Sequence, residues 1–78
     1  MKVEIITPDK VLLEGEAILA QLPGSDGSFE VLDNHAPLIA ILKPGRIKIT
    51  GRDKNDQFIE IRGGVAEMAN NKLLVLAE

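Results

Sequence analysis

Turn residues interrupt this 78-residue chain every few positions, and that spacing restricts it to short strands. The densest punctuation falls in residues 24–45. Turn clusters stand there at Gly24-Ser25-Asp26-Gly27, at Asp33-Asn34-His35-Ala36-Pro37 and at Lys43-Pro44-Gly45. Glycine supplies positive φ and proline fixes φ, so each cluster is a turn with a mechanism. The apolar runs between them, 29–32 and 38–42, have strand length. Both are read as strands buried on both faces, or nearly so.

The flanking segments follow the same rule. Residues 2–7 are rich in β-branched side chains and predict a strand with Val3 and Ile5 inward. A turn at Thr7-Pro8-Asp9-Lys10 leads to a short strand over 11–15, where Gly15 allows a bend or bulge. Residues 16–22 put Ile18, Ala20 and Leu22 on one face. A helix competes over 12–22, because Leu, Ala and Glu favour it. Gly15 in mid-segment and Pro23-Gly24 directly after it decide for strand. Residues 46–50 alternate with isoleucine inward, 51–56 form a solvated tip, and 57–62 return with Ile59 and Ile61 on one face. Gly63-Gly64 marks a corner. Residues 65–69 and 72–76 form a last hairpin across Asn70-Asn71, since asparagine tolerates the left-handed conformation of a two-residue turn. The expected fold is all-β: one domain over residues 1–78, a small two-layer flattened β-sandwich of about eight to ten short strands.

Composition narrows the partners. The net charge is −3, and Phe29 and Phe58 are the only aromatic residues. Nucleic-acid binding needs a cationic track and stacking platforms, so no nucleic-acid partner is expected. No apolar run approaches the ~18 residues that cross a bilayer as a helix. Glu4 and Asp9 interrupt any secretory h-region. The absence of cysteine fits a reducing compartment. A domain this small buries only ~60% of its unfolded surface, so a partner is expected to add stability.

Chemistry is sparse. His35 is the single histidine, and a general base needs an orienting group and a nucleophile. Asp33 and Ser28 are near it only in sequence, and no Gly-x-Ser-x-Gly elbow is present. Glu14, Glu16, Asp26, Glu30, Glu60 and Glu67 are scattered over different strands. Gly24-Ser25-Asp26-Gly27 lacks the lysine of a phosphate loop, and Asp26 would repel phosphate. Asp26, Asp33 and Asp56 have no calcium-loop spacing. One histidine and no cysteine cannot build the usual zinc site. No catalytic residue, cofactor site or metal site is expected, and His35 is read as a turn residue bonded to its loop or to a partner. On residues alone, the chain is a small β-sandwich interaction module.

The turn clusters carry a resemblance. Gly24-Ser25-Asp26-Gly27, Val31-Leu32, His35-Ala36-Pro37-Leu38 and Lys43-Pro44-Gly45 resemble, at matching spacing, the N-terminal β-sandwich domain of the epsilon subunit of bacterial F-type ATP synthase, the counterpart of the mitochondrial delta subunit. Thr7-Pro8-Asp9, Gly63-Gly64-Val65-Ala66-Glu67 and Val75-Leu76-Ala77 extend the likeness over essentially the whole chain. Glu30 departs from a frequent glycine, so a bulge there is expected to be absent. The family's C-terminal helical hairpin is not in this sequence.

The resemblance implies a non-catalytic central-stalk subunit that docks on the gamma subunit and on the polar loops of the c-ring, coupling ion translocation to ATP synthesis. It implies a gamma-facing surface at Thr7, His35, Ala36 and Pro37, and a c-ring-facing one at Gly27, Ser28 and Phe29. It also implies a peripheral place at the cytoplasmic face of the bacterial membrane, with membrane contact only through the complex. Inhibition of ATP hydrolysis by an extending arm is not expected of these residues. A generic β-sandwich adaptor with another partner remains the alternative, and a small hydrolase the third.

Overall fold

The computed structural model describes all 78 residues and contains nine strands and no helix. They are β1 (Lys2–Ile6), β2 (Val11–Glu16), β3 (Leu19–Gly24), β4 (Gly27–Leu32), β5 (Leu38–Leu42), β6 (Gly45–Thr50), β7 (Asp56–Ile61), β8 (Gly64–Ala69) and β9 (Lys72–Ala77). Two layers result. The first has the order β2-β1-β9-β8-β5, and the second consists of β4, β3, β6 and β7. They are stitched together where Gly24 of β3 meets Leu42 of β5. The first and last strands, β1 and β9, are the one parallel pair; every other pairing is antiparallel.

Side-chain alternation builds the core. Val3 and Ile5 of β1, Leu73 and Val75 of β9, and Ala66 and Met68 of β8 point inward from the first layer. Ala20 and Leu22 of β3, Val31 of β4, and Ile47 and Ile49 of β6 meet them from the second. The sixteen buried apolar residues form one cluster that includes Met1 and Ala17. Asn70 and Asn71 take φ of 52° and 58°, the pair of left-handed residues that a type I′ hairpin requires.

Four local expectations change. The runs 29–32 and 38–42 are not buried on both faces: Leu32, Ile39 and Ile41 are exposed. The all-apolar run 38–42 does not reveal how many layers cover it, and this chain supplies only one; in 29–32 Glu30 already lies on the exposed side with Leu32. The segment expected as a strand over 16–22 breaks at Ala17 and Ile18. There Ala17 N–H donates to Met1 O at 2.9 Å, and Ile18 N–H to Thr50 O at 2.9 Å. The irregularity in β2 is not at Gly15, which pairs regularly with Val3. The register shifts instead between Ile5 and Ile6, so that Leu12 and Leu13 both pack on the core. Finally, β3 continues through Pro23. It pairs with β6 over Leu19–Gln21 and with β5 only at Gly24. Pro23 lies in the gap between those partners, where its missing N–H breaks no ladder bond. The β3–β4 register runs unbroken past Glu30, so the expected absence of a bulge there holds.

Candidate docking surface

The outer face of the first layer carries an apolar row. Register places Ile41 of β5 opposite Val65 of β8, Val65 opposite Leu76 of β9, Leu76 opposite Ile6 of β1, and Ile6 opposite Val11 of β2. The row therefore crosses all five strands. Ile41 is 66% exposed, Val11 56%, Leu76 48% and Val65 40%, and Ile39, two residues along β5, is 74% exposed. Single exposed apolar residues are ordinary, whereas a contiguous patch marks an interaction surface. The next row along the strands is acidic: Glu67 and Glu4 stand on either side of Leu74, and Glu14 stands beside Glu4. Lys72 Nζ lies 3.8 Å from the Glu4 carboxylate.

The outer face of the second layer differs. Its longest cross-strand set is Glu30, Gln21, Lys48 and Phe58, and Arg46 pairs with Glu60. The Arg46 guanidinium stands 4.5 Å from the Phe58 ring centre, a cation–π contact on one ring face. Phe58 stays 51% and Leu32 52% exposed, but they lie on β7 and β4 with β6 and β3 between them and form no continuous row. The asymmetry of the two faces singles out the first layer.

The residues expected at the two interfaces fall into three places. His35, Ala36 and Pro37 are exposed together in the loop that enters β5. His35 Nδ1 lies 2.7 Å from Ala36 O, and His35 N–H donates to Leu32 O at 3.1 Å. Thr7 stands at the far end of β1, separated from that loop by about 17 Å of strand at 3.3–3.4 Å per residue. Its hydroxyl accepts from the N–H groups of Asp9 and Lys10 and so holds the β1–β2 turn. Thr7 and His35 are thus not one patch, but Thr7 directly follows Ile6 at the edge of the apolar row. Gly27, Ser28 and Phe29 lie in a shallow groove shared with Ile39 and Ile41. Gly27 takes φ of 129°, Ser28 is exposed, and Phe29 turns its ring toward the core. The apolar row itself was missed by sequence reasoning. Its signal was the surplus of apolar residues at outward positions of β5, β8 and β9. No buried polar or charged side chain exists, and no three metal-ligating side chains converge.

One ion pair orders the loop that carries His35. The α-ammonium of Met1 donates to Ala17 O at 2.9 Å and to the Asp33 carboxylate. Arg52 Nη1 approaches the other Asp33 oxygen at 3.6 Å. The hydrogen bond from the ammonium holds the Asp33 carboxyl below the usual aspartate range. Partial burial opposes this, and the charges of the ammonium and Arg52 reinforce it. A lowered folded pKa gives stability that is complete above the unfolded value, about 4, and lost as pH falls through the folded one. Asp33→Asn should therefore lower the melting temperature at pH 6, with the difference narrowing steadily below about pH 4. Thermal melts followed by circular dichroism across that range check this; a difference independent of pH would contradict it.

Comparison with known proteins adds to the geometry. The family model described as the ATP synthase delta/epsilon chain β-sandwich domain matches residues 1–78. An ATP synthase epsilon chain of Chlorobium limicola is 39% identical over 77 residues, covering 99% of this chain and 88% of the relative. One of Sulfurimonas denitrificans is 42% identical over 78 residues, covering 100% of this chain and 60% of that relative. A chain in the Euglena gracilis mitochondrial ATP synthase OSCP/F1/c-ring structure superposes with a TM-score of 0.90 at 18% identity, over 96% of this chain and 48% of that one. A chain of the Tetrahymena thermophila central stalk and c-ring structure gives 0.80 at 22% identity, over 97% of this chain and 61% of that one. At those identities the two structures share the fold. This chain spans about half to three-fifths of their length.

Proposed function

The chain belongs to the delta/epsilon family of ATP synthase β-sandwich domains, and on that premise we propose that it is a non-catalytic part of the rotor, docking on the gamma subunit and bordering the c-ring. The observation that carries this is the apolar row Ile41–Val65–Leu76–Ile6–Val11, which crosses the whole first layer without cover. A surface of that kind suits burial against another subunit, since apolar area removed from water contributes ~25 cal/mol per Å². A standard interface of about 800 Å² per partner would occupy a large share of so small a surface. In this reading the gamma subunit covers the row. Thr7 lies at its margin, and His35, Ala36 and Pro37 touch gamma from the adjoining loop. Gly27, Ser28 and Phe29, beside Ile39, face the c-ring loops.

A coupling element must be stiff to transmit torque, and short strands joined by tight turns around one core meet that need. The complex would sit at the cytoplasmic face of a bacterial membrane, reached through the c-ring and not by insertion of this chain. The role proposed for these 78 residues is coupling, with no arm-mediated inhibition of ATP hydrolysis.

Gel filtration of the chain mixed with the gamma subunit of the same organism tests the proposal, with the chain followed by peptide-bond absorbance because it has no Trp or Tyr. Co-elution at one to one supports the rotor. Separate elution of a folded chain favours the adaptor. His35→Glu refines the test. His35 is exposed and its contacts stay within its own loop, so the substitution should weaken binding to gamma about tenfold and leave the melting temperature of the free chain unchanged. An equal loss in the free chain would make His35 structural.

A further inference from the structure

Apart from the docking face, we propose that the α-amino group of Met1 is a modification-sensitive lock. It must be unacylated for the loop 33–37 to hold its position.

Met1 is 1% exposed and its side chain belongs to the core cluster. Its ammonium is enclosed with it and serves two acceptors, Ala17 O and the Asp33 carboxylate. Its carbonyl accepts from Ala17 N–H at 2.9 Å. One residue later, Lys2 N–H donates to Asn71 O at 3.0 Å, and the Asn71 side-chain oxygen accepts from Asn34 N–H at 2.7 Å. Arg52 reaches Asp33 from the β6–β7 tip. Two residues thus tie three connections together, the break at 17–18, the loop 33–37 and the β8–β9 turn, and Asp33 brings in a fourth, the β6–β7 tip, through Arg52.

A formyl or acetyl group would turn the ammonium into an amide, removing the charge and two of its three N–H donors. One acceptor then stays unsatisfied inside the fold, and Asp33 loses the cation that orients it. The added carbonyl also needs room that a 1%-exposed residue does not have. Any residue joined ahead of Met1 would form the same amide and act in the same way. The state of this one nitrogen therefore sets whether the loop bearing His35, Ala36 and Pro37 is fixed. That this loop docks on gamma rests on the function proposed above; the lock itself does not.

The test compares the 78-residue chain made by chemical synthesis with a free amine and with an N-formyl group, each also as Asp33→Asn. Formylation should lower the melting temperature by roughly 5 °C or more, as expected when a domain this size loses one buried charge-assisted hydrogen bond. It should speed amide exchange at Asn34 by about tenfold, beyond the smaller common increase that lost global stability gives the β6–β7 amides. In the Asp33→Asn background formylation should cost less, because the charged acceptor is gone and only the crowding at Met1 and the Ala17 carbonyl remain. Unchanged melting and unchanged Asn34 exchange would overturn the lock, as would an equal effect in both backgrounds. If the formylated chain does not fold, the free-amine Asp33→Asn chain decides: unchanged Asn34 exchange there overturns the proposal. Binding to gamma is measured alongside. A loosened loop with full gamma affinity contradicts only the docking role of the loop.

Discussion

Gly64→Ala is expected to cost this domain about 3 kcal/mol or more, a large share of the ~4–12 kcal/mol that holds a chain of this length folded. Gly64 takes φ of 150°, and a Cβ there would lie 2.2 Å from Leu76 O and 3.0 Å from Ala77 Cα. Both atoms are backbone of β9, so no rotamer change relieves the clash. The strand pair must separate or Gly64 must leave its conformation. Either displaces Val65 and Leu76, which pair with each other in the middle of the apolar row. Gly15→Ala is the control, because a Cβ at Gly15 meets nothing within 4 Å and its φ is not positive. It should leave stability unchanged or raise it by up to about 1 kcal/mol. Urea unfolding of the two variants measures both. Equal midpoints would contradict the β8–β9 register described here.

Ile41→Lys is expected to weaken binding to the gamma subunit at least about 100-fold, or ~2.7 kcal/mol. The substitution removes an apolar contact worth about 1.5–3 kcal/mol when fully buried. It also asks the interface to enclose an ammonium group, at further cost unless a partner group pairs with it. The free chain should melt as before, since Ile41 is 66% exposed there and exposed positions tolerate lysine. The neighbouring row contributes Glu67 to the same face, which makes the new charge easier to hold in the free state. The control is Lys48→Glu on the outer face of the second layer, next to Phe58; its effect on binding should stay within about threefold. Titration calorimetry gives both affinities. Full binding by the Ile41→Lys chain would remove the apolar row from the interface.

Much of the fold was legible where the period of the side chains and the turn chemistry agree. Ile47 and Ile49 alternate with Arg46 and Lys48, and only one face of such a strand can be inside. Asn70-Asn71 names its own turn type. Val3 and Ile5 were inward for the same reason as the isoleucines of β6. Strand β5 was not legible: Leu-Ile-Ala-Ile-Leu has no polar side to distinguish a covered face from an uncovered one. Pro23 looked like a strand end because the gap that tolerates it arises from a change of partner strand, which is a tertiary fact. Met1 and Asp33 are brought together by topology across 32 residues of sequence, and no local pattern announces that.

The candidate site divides in the same way. The loops bearing His35 and Ser28 were marked by glycine, proline and asparagine. That Thr7 and His35 stand at opposite ends of the first layer depends on strand order. The apolar row depends on the register of five strands at once, so its members are unremarkable singly and form a surface only in the fold.

The most direct measurement is an amide-exchange footprint of the isotopically labelled chain, free and with the gamma subunit bound. Docking through the first layer slows exchange along β1, β5, β8 and β9 and in the loop 33–37, with β6 and β7 unchanged. Protection confined to β6 and β7, or none despite a stable complex, would contradict docking through the first layer.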